Sequence, residues 1–335
     1  MHVLLIPLIA GIFLAVMMGG SGIAASFSPT YGAKLLKRSV IPTLFGGAVL
    51  LGALFSGHRV SQTIGEGIIA SSQFDLTVTS IMLGAVGLSI LLANLLKVPQ
   101  STSQSTVFAL LAIGVYLSDL NTHNVFVRIV PAWFYLPLIA FFLTYLIGHL
   151  MLKPVQNNTH GNHSLSTLQS HKVTKYLVIS GSLYVAYAIG ANNVANAAGP
   201  LYSLLDNTYM AVSYPQILMI LVVLLIAPWF GIGGALFGDK LLNTSGDEIT
   251  PFGPLGALAV FIVTGTLMLL ASIIGGIPVA LAQINIAAIM GLGVYKSGFK
   301  AIFKRHAVRR ILIVWIVSPI IAFVIAYALM MLFVS

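Results

Sequence analysis

Residues Ala188–Pro200 read AIGANNVANAAGP, which sets Asn192, Asn193 and Asn196 inside a run that is otherwise apolar. Tyr176 to Tyr187 lead into that stretch as a largely hydrophobic helix. An amide without a partner in hydrocarbon costs several kcal/mol, so each asparagine needs one. Gly190 and Gly199 bracket them, and this predicts a helix that opens in mid-membrane between them and restarts. The opening would free backbone N–H groups at a new helix N-terminus, where small anions bind. The competing reading makes the amides glue between neighbouring helices.

Outward from this stretch, the whole chain is apolar. Hydrophobic residues are 58% of the 335 and charged residues 7%, a balance that excludes a soluble domain and marks a polytopic membrane protein. There is no cysteine, so disulfides and thiolate metal ligands are excluded. The net charge is +9, but the basic residues sit in short loops and report topology rather than a nucleic-acid partner. His2–Met18 lacks a basic leader and reads as a retained span, not a signal peptide.

Apolar runs able to cross, or nearly cross, a core of about 30 Å lie near 2–33 (interrupted at Gly19–Gly22), 39–57, 77–96, 99–118 and 126–152. They resume near 174–203 (interrupted at Gly190–Asn196), 214–238, 252–273, 278–295 and 311–334. Between the two fives lies the one extended hydrophilic segment, 153–173, which reads as a loop between a repeat at 1–152 and another at 174–335.

The two halves align without outside help. GGSGIAASFSPTYG at Gly19–Gly32 answers GANNVANAAGPLYS at Gly190–Ser203. Gly57, Thr63, Gly65 and Glu66 answer Gly238, Thr244, Gly246 and Asp247, and Pro99 with Gln104 answers Pro278 with Gln283. Three matches in one order point to internal duplication. An odd number of crossings per half inverts the second copy. With the N- and C-termini outside, Lys34, Lys37, Arg38, Lys97, Lys153, Lys172, Lys175, Lys240, Lys296, Lys300, Lys304, Arg305, Arg309 and Arg310 fall inside. Arg59 and Arg128 alone fall outside, as the positive-inside rule favours. The expected fold is thus an all-α polytopic membrane protein of two inverted-topology repeats, about five membrane runs each. It has ten to twelve helices counting split ones, some interrupted in mid-membrane. Inverted repeats with broken helices are the mark of secondary transporters.

Enzyme chemistry within the membrane would need paired acids, a His-Glu metal spacing or an activated nucleophile. All seven acids lie at or beyond span ends, and no HExxH occurs. No cofactor or metal is expected. A non-transporting sensor or scaffold is the remaining class.

These residues resemble the inorganic phosphate transporter family of ion-coupled anion permeases. Its repeated hallmark reads like GANDVANA, and GANNVANAAG at Gly190–Gly199 is similar. A second hallmark, proline followed by Ser-Thr-Thr-His, resembles Pro99–Gln104, PQSTSQ. The resemblance implies a permease of the cell membrane, usually a homodimer, whose repeats enclose a tetrahedral oxyanion near the bilayer midplane.

The departures from the family pattern carry chemistry. The family's aspartate is replaced by Asn193 and Gly22, and its histidine by Gln104 and Gln283. Phosphate near neutral pH keeps an O–H and benefits from an acceptor, whereas sulfate offers acceptors only and wants donors. A buried carboxylate would oppose a dianion by several kcal/mol at low effective dielectric. The chain therefore looks like the family's sulfate-permease branch, with phosphate as the alternative. The expected ligands are Ser21, Gly22, Ser101, Thr102, Ser103, Gln104, Asn192, Asn193 and Gln283, aided by backbone at Gly19, Gly20, Gly190 and Ala191. Without carboxylates near the breaks, sodium coupling weakens and protons become the expected coupling ion. Glu66 and His58 are the candidate carriers.

Overall fold

The computed structural model describes residues 4–96, 100–152, 172–209, 215–242 and 253–334. The hydrophilic segment up to residue 171 and the counterpart acid Asp247 lie outside them. Every regular element among the described residues is a helix: α1 Leu5–Gly32, α2 Ile41–Ser56, α3 His58–Glu66, α4 Leu76–Leu95, α5 Thr102–Leu117 and α6 Val130–Ile147. The second half holds α7 Lys172–Asn193, α8 Ala195–Tyr209, α9 Pro215–Ile226, α10 Pro228–Leu242, α11 Pro254–Ile273, α12 Leu281–Ser297, α13 Phe299–Phe303 and α14 His306–Phe333. Turns of π-helix flank α6 at Asn124–Ile129 and Gly148–Leu152.

Local chemistry sets several of these ends. Asp75 caps α4 by accepting from Val78 N at 2.7 Å, as N-cap acids do. Pro42, Pro131 and Pro254 stand in the first turn of α2, α6 and α11, where a missing N–H costs nothing. Among the described residues seven helical stretches are long and apolar enough to cross a membrane, and α2 with α3 forms a further pair bent by 74°. The shorter α5 is apolar too. Each of the ten apolar runs thus coincides with a helix or a helix pair.

One of the two predicted interruptions is absent: α1 runs unbroken through Gly19–Gly22, whereas in the second half the break falls at Val194, inside the Gly190–Asn196 interruption expected there. The glycines serve close helix packing instead. A methyl on Gly19 would overlap the Phe230 carbonyl of α10, and one on Gly190 would overlap the Val49 carbonyl of α2. Gly233 and Gly52 return these contacts against the carbonyls of Val16 and Tyr187. Small residues let membrane helices approach in this way.

The packing partners exchange between the halves. α1 packs on α10 while α2 packs on α7, and α1 on α4 while α7 packs on α11. Likewise α5 packs on α14 while α6 packs on α12. Many large apolar side chains, among them Phe134, Leu138, Phe142, Leu221 and Leu224, stay exposed on the outer faces, as lipid-facing residues would.

Candidate functional site

Two of the helices that begin inside the protein meet at their ends. α5 starts after Ser101, which is 1% exposed, and α12 after Ala280, also 1% exposed. Ser101 Oγ caps α5 by accepting from Gln104 N at 3.3 Å, whereas Ala280 has no side-chain oxygen to do so. At these two ends Gln283 Nε2 donates to Gln104 Oε1 at 3.2 Å. The positive ends of two helix dipoles are thereby brought together in the interior, an arrangement that favours negative charge.

α7 supplies the amides. Asn192 is fully committed: Nδ2 donates to Ser272 Oγ at 2.7 Å and to Ile277 O at 2.9 Å. Its Oδ1 accepts from Val279 N at 3.1 Å and from Ser103 Oγ at 3.3 Å. All of the side chain's hydrogen-bonding capacity is used, so Asn192 is a latch between α7, α5 and the connector into α12. The glue reading holds for this residue. Asn196 Nδ2 donates to Ser103 Oγ at 3.3 Å and approaches Met18 Sδ at 3.8 Å, and its Oδ1 has no partner.

Asn193 differs from both neighbours. It is 2% exposed, its side chain makes no hydrogen bond, and Oδ1 is sealed from water. A buried amide left so costs about 1–3 kcal/mol, a cost that a polar ligand would remove. Gln283 Oε1 is buried and unpartnered as well. Ser103 therefore joins Asn192 and Asn196, and Gln104, beside it in α5, joins Gln283, with Ser101 and Thr102 in the same buried turn.

The first motif copy packs apart from this cluster except at the residue just before it. Ser21 Oγ bonds back to Met18 O at 3.0 Å, and a side chain at Gly22 would meet Phe45 and Ile189. With α1 unbroken, Gly19 and Gly20 offer no free backbone; they face Phe230 and Phe237 of α10. Gly190 and Ala191 likewise lie within α7, against α2. The α1 residue that reaches the cluster is Met18, through its contact with Asn196.

Glu66 and His58 are exposed on α3 and do not join the cluster. The 74° bend after α2 carries α3 away from the line of the span. His58 instead lines an open cavity of about 210 Å³ with Ser61, Gln216 and Met219. No group of three or more His, Cys, Asp or Glu able to hold a metal occurs among the described residues.

The sequence reading missed the residues that hold the α11–α12 connector. Ser272 lies in an apolar run with nothing to single it out. Trp133 Nε1 donates to Pro278 O at 2.9 Å, Arg59 Nη1 to Ile274 O at 3.0 Å, and Arg128 Nη2 to Gly275 O at 3.1 Å. The one available signal was that Arg59 and Arg128 are the two basic residues left outside by the topology.

Comparison with known proteins shows the family and the fold. A family model described as the phosphate transporter family matches residues 18–326. A Bacillus subtilis protein named sulfate permease CysP is 32% identical, over 98% of this chain and 88% of its own length. A Pyrococcus furiosus protein named putative phosphate permease PF1020 is 25% identical over 98% of this chain and 97% of its own. A solved structure described as the sodium-dependent phosphate transporter superposes with a TM-score of 0.86 at 21% identity, covering 99% of both chains.

Proposed function

The chain belongs to the phosphate transporter family, and on that premise we propose that it imports sulfate across the cell membrane as a proton-coupled secondary permease. The family is one of permeases, not enzymes. The observation that carries the sulfate reading is the buried cluster of amides, hydroxyls and two helix N-termini, into which no carboxylate enters. Among the described residues, no acid is buried anywhere. Such a site suits a ligand that accepts hydrogen bonds at every oxygen. The name of the 32%-identical Bacillus subtilis relative supports the same substrate.

Alternating access would come from one bundle moving against the other around this cluster. The exchanged packing of α1 on α10 with α2 on α7 supports two inverted repeats, at 1–152 and 174–335. The distribution of basic residues supports termini outside, and the homodimer implied by the resemblance belongs to the same proposal.

A second reading, phosphate moved with sodium or protons, has its own observation. Asn193 Oδ1, Asn196 Oδ1 and Gln283 Oε1 are buried acceptors without donors. They would suit the O–H of a protonated oxyanion or a hard cation. An amide turned through 180° presents its N–H instead, and this keeps sulfate first. Uptake into proteoliposomes, competed by sulfate, thiosulfate, selenate, molybdate and phosphate at two pH values with and without sodium, separates the two. The expected result is sulfate uptake that follows the pH gradient and ignores sodium. Preference for phosphate or a sodium requirement selects the second reading, and no flux of any oxyanion selects a sensor.

A further inference from the structure

Resting on the reading of this protein as an oxyanion permease, we propose that Arg59 and Arg128 form a separate outer anion site. It would gather the tetrahedral dianion before entry to the buried cluster. The two guanidiniums come from different elements, α3 and the π-helical turn before α6, and meet on one short piece of chain. Arg59 donates to the Ile274 carbonyl and Arg128 to the next one, Gly275. Arg128 Nη1 also donates to Asn124 Oδ1 at 3.2 Å. Adjacent peptide carbonyls thus hold two cations side by side.

That arrangement needs an anion to explain it. Both side chains are exposed, and among the described residues neither has a carboxylate partner. A guanidinium carries five N–H donors, so most of those on both arginines still face water. Capping the carbonyls just past the end of α11 accounts for one cation near a helix C-terminus. It does not account for two mutually repelling cations on consecutive carbonyls. Paired guanidiniums with free N–H forks match the oxygens of a tetrahedral oxyanion, which they bind bidentately.

The connector also leads inward from this point. Ile274 is 68% exposed, yet Ala280 is 1% exposed. Between them Ile277 O and Val279 N are both held by Asn192, and Gln283 follows in the first turn of α12. The segment that the arginines grip therefore runs from the surface to the buried amides. In the topology set by the basic residues these are the two cations on the outer side, so the positive field at that mouth rests on them.

The test is uptake of radiolabelled external sulfate by cells without other sulfate permeases. It compares the parent with Arg59→Gln, Arg128→Gln, the double Gln variant and the double Lys variant. The double Gln variant should raise KM about three- to tenfold, with a smaller fall in Vmax, and should flatten the dependence of uptake on ionic strength, as loss of electrostatic focusing does. The double Lys variant should restore the salt dependence but only part of the KM, because the planar fork is gone. Unchanged KM and salt dependence, or a loss of Vmax alone, would show simple helix capping and overturn the proposal.

A measurement on the parent protein removes dependence on variant folding. Modification of external arginine by phenylglyoxal should be slowed severalfold by sulfate and not by chloride at equal ionic strength. Equal protection by both salts overturns the outer site. If the parent moves no sulfate at all, it is the sulfate-permease reading that fails, and the protection result still decides the fate of the arginine pair.

Discussion

Gln283 Nε2 donates to Gln104 Oε1 at 3.2 Å across 179 positions of sequence. This bond joins the first turns of α12 and α5 at their two buried N-termini. A dianion bound by both ends must part the two amides or sit against their free atoms. Either way a negative charge at this place should be costly. Gln104→Glu is expected to weaken sulfate binding tenfold or more, while Gln104→Ala costs about fivefold, the worth of one lost amide bond. Calorimetric titration of the purified variants measures both, and equal affinities would remove Gln104 from the site.

Asn192 and Asn193 are neighbours with opposite expected phenotypes. Asn192→Ala strips partners from Ser103, Ser272, Ile277 and Val279, so it should destabilise the protein by about 2–4 kcal/mol. Asn193→Ala breaks no bond and should leave thermal stability in detergent near that of the parent while lowering sulfate affinity. A melting temperature that falls more for Asn193→Ala than for Asn192→Ala contradicts this division.

Asn193→Asp tests the missing carboxylate. It should weaken sulfate binding tenfold or more through repulsion at low effective dielectric, and should improve competition by phosphate, whose O–H gains an acceptor. Normal sulfate binding by this variant would show that position 193 does not touch the substrate.

Gly52→Ala is expected to destabilise the α2–α7 contact by about 1–3 kcal/mol, since its methyl would overlap the Tyr187 carbonyl. Thermal unfolding in detergent reports it. Gly47, which would meet nothing within 4 Å, should accept alanine without loss.

Replacing Glu66 with Gln separates coupling from binding. If this exposed acid carries the proton, pH-gradient-driven uptake falls while sulfate exchange at equal pH continues. Driven uptake at the parental rate would take Glu66 out of the coupling path.

The amino-acid sequence by itself determined the helical runs. Hydropathy is a local sum over about 20 residues, so it marks α1, α4 and α11 without knowledge of their neighbours. It also marked Asn192, Asn193 and Gln104 as polar intrusions, and the order of Pro99 with Gln104 and Pro278 with Gln283 set them at corresponding places. The tertiary structure alone decided what each intrusion does. Whether Gly19 breaks a helix or admits a neighbour depends on Phe230, more than 200 residues away. Whether an amide is a latch or is free for a ligand depends on which distant atoms reach it. Asn192 meets Ser272, Ile277 and Val279, and Asn193, one residue on and turned to another side of the helix, meets none. Hydrogen bonds act over about 3 Å in space, and their partners here are set by how the two halves of the chain pack together.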